Sequence, residues 1–448
     1  MRPSPLPLPS ILTMPHIFEA LFTRVGKNMA DYVDIQTVTP HWRNFFEDGT
    51  HVDLTPDPEA QRRELDKLGP HAAAEFDRFM AYAKQISDAV ERGYFAKGLD
   101  SFWELIRFYG IRQSLLNFDV FRSMDQGVRR FISHPKLVDI LNYFIKYVGA
   151  SPYDAPALMN LLPHIQYQYG LWYVKGGMYG IAQALEKLAL ELGVSIRLNS
   201  EIVEISREQH KATGVRLADG TQLAADIIVS NMEVIPAMQQ LLNSPASELK
   251  KMQRFEPSCS GLVLHLGVNR RYPQLAHHNF FYSAHPQHHF NAVFHDHTLS
   301  EDPTIYLVAP VNSDPSQAPE GCDIIKVLPH IPHLDPDKPL SAEDYLALRE
   351  RVLDKLERMG LTDLRKHIVT EDYWTPLDIQ RRYYSNLGSI YGVVADRKKN
   401  LGFKAPQRSS ELSNLYFVGG SVNPGGGMPM VTLSGQLVRD KILADLAK

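Results

Sequence analysis

The stretch "NLYFVGGSVNPGGGMPM", residues 414–430, decides how this chain is read. Its apolar run from Leu415 to Val418 predicts a short strand. Five glycines then fall within nine residues: Gly419, Gly420, Gly425, Gly426 and Gly427. A helix is predicted from Pro429 to about Ala447, with proline at its start, where the missing N–H costs nothing. Strand, glycine turn and helix start, in that order, suit a polar or anionic ligand. Glycine permits positive φ and close approach of the backbone. The first free N–H groups of the helix, near Met428 and Met430, carry the positive end of its dipole. A turn made glycine-rich only for tight packing is the competing reading.

Working outward, the chain has 448 residues, enough for two or three domains, and is 44% apolar and 22% charged. A net charge of −4 gives no global basic field for nucleic acid. Two cysteines, Cys259 and Cys322, in a chain of this length point to a reduced, cytosolic protein. No apolar run approaches the roughly eighteen residues of a membrane span. The opening "MRPSPLPLPSILTMP" has one arginine, several prolines and no small-residue cleavage site, which argues against a signal peptide.

Residues 56–153 read as helices with a greasy character, as in "FWELIRFYGIRQSLLNF" and "KLVDILNYFIKYVG". Between residues 97 and 150, eight Lys/Arg stand against five Asp/Glu, a locally basic segment in an acidic protein. "GGMYGIAQALEKLALELGV" is a glycine turn, a helix and a glycine stop. The run "SIRLNSEIVEISREQHKATGVRLADGTQLAADIIVSN" reads as strands, with a hairpin at Asp219-Gly220 and a fully buried strand in "DIIVSN". Four more strands are expected in "SGLVLHLGV", "NFFYS", "TIYLVAPV" and "IIKVLPHI". A helix capped by Ser341 and ended by Gly360 follows. The pattern is a mixed α/β chain whose strands, distant in sequence, share a sheet.

Three segments in order, residues 174–205, 214–231 and 414–435, resemble the carotenoid desaturase family of bacterial phytoene- and diapophytoene-desaturase-like flavoproteins. The resemblance runs essentially from end to end. "NPGGGMPMVTLSGQ" looks closer to the branch that oxidises terminal methyl groups of C30 carotenoids than to the branch that only desaturates. The resemblance implies a Rossmann-like α/β fold of the amine-oxidase and carotenoid-desaturase type, with FAD as cofactor. It places Gly419 and Gly420 along the pyrophosphate and ribityl chain, and Gly425, Gly426, Gly427 and Met428 against the isoalloxazine ring. Val203, on "EIVEI", would pair a backbone group with adenine; a plain core valine is the other reading.

Such a family calls for a G-x-G-x-x-G turn in a first βαβ unit. These 448 residues contain no match to it, so that unit is expected to be missing here. The implied organisation is a remnant of the FAD domain and the start of the substrate domain over 1–55, then a helical, membrane-associated subdomain over 56–155. The second part of the FAD domain spans 156–250, a substrate-binding β-sheet domain 251–375, and the last FAD segment 376–448.

Catalysis is expected to be flavin-centred, with Tyr391 and Arg381, from "YWTPLDIQRRYYSNLGSIYGV", as candidates to line the substrate tunnel. The histidines His277, His278, His285, His288, His289, His295 and His297 crowd one region, and His295 and His297 would share a face on a strand. Polar neighbours favour loops there, and no metal is expected. Aromatic Phe102, Trp103, Phe108, Tyr109 and Phe118 beside Arg107 and Arg112 suit either an internal helical layer or an interfacial surface. An insoluble polyene substrate tips the expectation to a cytoplasmic protein, peripheral on the inner face of the cell membrane. The expected function is terminal methyl oxygenation of a C30 carotenoid of the diapolycopene or diaponeurosporene type. A carotenoid desaturase and a flavin-free remnant acting as a binding partner are the alternatives.

Overall fold

The computed structural model describes residues 10–119 and 121–447. Its frame is an eight-stranded sheet ordered Ile368–Trp374, Val263–Val268, Asp323–Ile331, Ile305–Val308, His278–Phe281, Trp42–Phe45, His51–Leu54, with Ser260–Gly261 paired to the end of Asp323–Ile331. The four strands expected from 258–335 all lie in it. Its one parallel pair joins Trp42–Phe45 to His278–Phe281, so segments more than two hundred residues apart in sequence share the frame.

Alternation gives the sheet two apolar faces. Leu264, Leu266, Leu307, Ile325 and Val327 pack against Tyr345, Leu348, Val352 and Leu356. These last four belong to the helix Ala342–Arg358, which starts on a capping box between Ser341 and Asp344 and stops before Gly360 at φ +116°, as expected. The opposite face carries Val263, Phe280, Tyr306 and Leu328, which join Trp42, Tyr143 and Phe144 in a second core. The helical layer over this face includes Ala72–Val90, with Phe76, Phe79, Ala83 and Ile86 buried at helical spacing.

A smaller part holds the helix Gly180–Glu191, the antiparallel strands Ile202–Glu208, Lys211–Leu217 and Gln222–Ala224, and a parallel pair, Ile228–Ser230 with Leu415–Phe417. The Asp219-Gly220 hairpin forms, with Gly220 at φ +89°. Two expectations fail here. "DIIVSN" is a strand, but Val229 is 47% exposed; its only strand partner among the described residues is Leu415–Phe417. Residues 195–198 form no strand, and Ile196 and Leu198 are exposed. Their β-forming pattern finds no ladder among the described residues, and a strand without a ladder leaves its backbone groups unpaired. Likewise, the segment holding His295 and His297 is a helical turn, Ala292–Asp296, ending with His297 at φ +53°, so the two do not share a strand face. Asn291 and Asp296 prefer local turns to a pleated surface.

Candidate flavin and substrate site

A cavity of about 1010 Å³ opens between three walls. Val263, Tyr306, Lys326 and Leu328 come from one face of the large sheet, Tyr94, Phe118, Leu161 and Ile165 from the helical layer, and Gly420, Gly426, Gly427 and Met428 from the glycine turn. Apart from a few polar groups the lining is aliphatic and aromatic, as an extended apolar ligand requires.

The five glycines divide by role. Gly419, Gly425 and Gly427 have φ of +104°, +124° and +94°, values that side chains rarely adopt. Gly426 makes room for the chain itself, whereas a Cβ on Gly420 would meet its nearest neighbours at an ordinary 3.5 Å. A Cβ on Gly426 would stand 2.7 Å from the carbonyl oxygen of Tyr391, and one on Gly392 would stand 2.5 Å from the carbonyl of Gly420. Above the turn, Gly427 meets only the Tyr147 carbonyl oxygen, 3.9 Å from a notional Cβ. The helix Met428–Leu446 then starts with no side-chain cap, and its first residues line the cavity. Its free N–H groups therefore address whatever fills that space.

Asn423 fastens the turn to its surroundings. Its side-chain oxygen accepts from the Tyr94 hydroxyl at 2.6 Å and from the Lys404 N–H at 2.9 Å. Its amide reaches the Asp100 carboxylate at 3.2 Å, and Asp100 is paired with Lys441. Among the titratable groups that line the cavity and that the sequence did not single out are Glu233, Lys404 and Lys146. Burial pushes the Glu233 carboxyl up to about 7. Burial pulls the Lys404 amine down to about 7, although its Nζ donates to the Val393 carbonyl. Burial, and then the nearby charge of Lys326, holds the Lys146 amine well below the usual lysine range. Only Lys146 left a trace in the sequence, as the one charge in the apolar run "NYFIKYVG".

Of the tunnel candidates, Tyr391 lines the cavity. Arg381 is exposed on the helix Pro376–Tyr383, next to Asp378 and Arg382 and away from the cavity lining. A charged side chain at the solvent end of that amphipathic helix gains hydration there. Val203 is the extra residue of a bulge: Ile202 pairs with Leu217 and Glu204 with Arg216. Its backbone stands outside the ladder, as pairing with an adenine edge requires. His278, among the crowded histidines, bonds the Tyr306 hydroxyl at 2.9 Å, and His295 the Asp154 carboxylate at 2.8 Å. No three His, Cys, Asp or Glu converge as metal ligands among the described residues.

The residues present suit the ring end of a flavin: open space beside Gly427, an uncapped helix start, and apolar walls. Four comparisons bear on this arrangement. Residues 20–443 match the family described as flavin containing amine oxidoreductase. The chain is 79% identical to a 4,4'-diapolycopene oxygenase of Methylomonas sp over 98% of this chain and 88% of that protein. It is 53% identical to a 4,4'-diaponeurosporene oxygenase of Staphylococcus haemolyticus over 97% of this chain and 87% of that protein. Among solved structures, cyclohexylamine oxidase from Brevibacterium oxydans superposes with a TM-score of 0.58 at 13% identity, over 98% of this chain and 88% of that one. That likeness speaks for the fold alone. The matched span, the two relatives and the shared fold lead to one conclusion: the chain belongs to the flavin containing amine oxidoreductase family, and its cofactor is FAD.

Proposed function

We propose that this chain oxygenates the terminal methyl group of a linear C30 carotenoid in carotenoid biosynthesis, as an FAD-dependent oxidoreductase. The observation that carries the reading is the apolar cavity of about 1010 Å³ that ends on the glycine turn, in a chain 79% identical to a diapolycopene oxygenase. When bound, FAD would supply the redox chemistry for oxidising the terminal allylic carbon. Gly419, Gly420, Gly425, Gly426, Gly427 and Met428 are assigned to its ribityl and ring portions and the bulged backbone at Val203 to its adenine. The helix start at Met428 favours negative charge on the side of the ring it faces. Leu161, Ile165, Val263 and Leu328 hold the polyene and keep water from it, and Tyr391 flanks the reacting end. In this reading, residues 10–55 combine a remnant of the FAD side with the start of the substrate sheet, 251–375 build the rest of that sheet, 56–155 covers it, and 156–250 with the described part of 376–448 form the FAD side.

The substrate enters from a lipid surface. Trp103, Phe108, Ile111 and Phe121 are exposed, and Phe121 also lines the cavity together with Phe102, Leu105 and Phe118. Arg107 and Arg112 lie among them in sequence, as at a peripheral membrane face on the cytoplasmic side. No helix among the described residues is long and apolar enough to cross a membrane.

The test gives the FAD-loaded protein diapolycopene and diapophytoene separately in liposomes and reads product masses. Gain of oxygen on diapolycopene is expected. Loss of hydrogen pairs from diapophytoene, with no oxygen gained on diapolycopene, makes the chain a desaturase instead.

A further inference from the structure

Lys146 sits on the short helix Tyr143–Tyr147, is buried, and lines the cavity. Among the described residues its amine has no carboxylate and no hydrogen-bond acceptor. It is boxed by rings instead: Nζ lies 3.8 Å from the centroid of Tyr306, 4.8 Å from Phe280, 5.0 Å from Tyr147 and 5.2 Å from Trp42. The Tyr306 hydroxyl is already engaged with His278. Lys326 stands on the same cavity wall, its Nζ donating to the Ser10 hydroxyl at 3.0 Å.

A cavity for a hydrocarbon has no need of an amine. Burying one without an acceptor is unfavourable, because the hydrogen bonds it makes to water are lost and not replaced. A leucine or methionine would fill the position more stably. The position is also close to the turn assigned to the flavin ring. The Tyr147 carbonyl oxygen is the atom nearest a notional Cβ on Gly427, and the Tyr147 ring is one wall of the lysine's box.

We propose that Lys146, seconded by Lys326, is an oxygen-recognising subsite that binds the already oxygenated terminus of a polyene, an alcohol or aldehyde, as a hydrogen-bond donor. The inference rests on the carotenoid reading above. The bare methyl end of a hydrocarbon offers the amine nothing, whereas the terminal oxygen after the first oxidation offers the missing acceptor. The subsite thereby retains a half-oxidised end at the flavin turn and favours repeated oxidation of one terminus over release.

The experiment measures binding of diapolycopene and of its mono-aldehyde in detergent micelles by quenching of protein fluorescence, for the wild type and for Lys146→Met. The wild type is expected to bind the aldehyde at least tenfold more tightly. Lys146→Met is expected to lose that preference, to bind the hydrocarbon no worse, and to melt at a higher temperature than the wild type, because the unpaired amine is gone. A second readout is covalent. An unprotonated amine at an aldehyde forms an imine and releases water, R–CHO + H₂N–Lys → R–CH=N–Lys + H₂O. Borohydride hydride then fixes the imine as a secondary amine, to be found by mass spectrometry on the peptide carrying Lys146. Equal binding of both polyenes by the wild type, or an aldehyde preference unchanged in Lys146→Met, overturns the subsite and leaves the carotenoid reading intact. Binding of neither polyene overturns both.

Discussion

The carbonyl oxygen of Tyr391 lies 2.7 Å from the place a Cβ on Gly426 would occupy. What approaches the glycine turn most closely is thus a second segment of the same chain, residues 390–392. The turn and that segment are pressed together, and each needs glycine, Gly426 on one side and Gly392 on the other. The ligand-facing part of the turn is narrower, Gly427 and the helix start behind it.

This contact makes Gly426→Ala costly. The added carbon meets backbone, which cannot rotate away, so a loss of about 1–3 kcal/mol is expected, typical of overpacking. Gly435→Ala is the control. Gly435 lies inside the helix Met428–Leu446 with nothing within 4 Å of a notional Cβ, so alanine should be neutral or stabilise by up to about 1 kcal/mol. Urea melts of both variants, with flavin content after gel filtration, give the comparison. Equal melts would mean the two segments separate freely.

Asn423→Ala leaves the Tyr94 hydroxyl and the Lys404 N–H without their acceptor. Stability is expected to fall by about 2–4 kcal/mol, since both donors stay buried. Tyr94→Phe removes a donor and strands less, at about 1 kcal/mol. The ordering of the two in denaturant melts is the check; Tyr94→Phe costing as much as Asn423→Ala refutes it.

Glu233 gives a pH dependence with a definite sign. Its folded value of about 7 stands above the ordinary 4.5 because burial disfavours the carboxylate. The folded state therefore holds the proton more tightly than the unfolded chain. That stabilisation is complete below pH 4.5 and is lost as pH rises to about 7. The shift is worth about 3 kcal/mol. Glu233→Gln, which never ionises, should gain in melting temperature relative to the wild type across that window and hold a constant lead above it. Parallel curves for the two proteins from pH 4.5 to 8 would rule out a buried carboxyl of this kind.

The apolar rim predicts membrane binding. Trp103, Ile111 and Phe121 are 76%, 66% and 74% exposed, so replacing all three by serine should leave the fold's melting temperature within a few degrees. Each large apolar side chain buried in lipid contributes about 1.5–3 kcal/mol, so liposome partitioning in a flotation assay should drop more than tenfold. Unchanged flotation would place the lipid contact elsewhere.

Much of the fold was legible locally. The strands around Val263, Phe280, Tyr306 and Val327 were visible because alternation and β-branched runs are short-range signals. The Ser341 cap, the Gly360 stop and the Asp219-Gly220 hairpin were visible because turn and cap chemistry is carried by single residues. The strand, glycine turn and helix at 415–446 followed from the same rules, and the motif resemblance pointed to flavin. Tertiary structure alone decided what the glycines face, because the partner, Tyr391, lies far from Gly426 in local pattern and only packing brings its carbonyl there. It alone decided that 195–198 is not a strand and that Val229 is exposed, since a strand exists through its neighbours. It alone separated Tyr391, on the cavity wall, from Arg381, in solvent, ten residues of ambiguous helix and turn earlier. Glu233 and Lys404 were invisible for the same reason, and Lys146 showed only as the one charge in an apolar run: a charged residue reads as surface until the fold withdraws water from it.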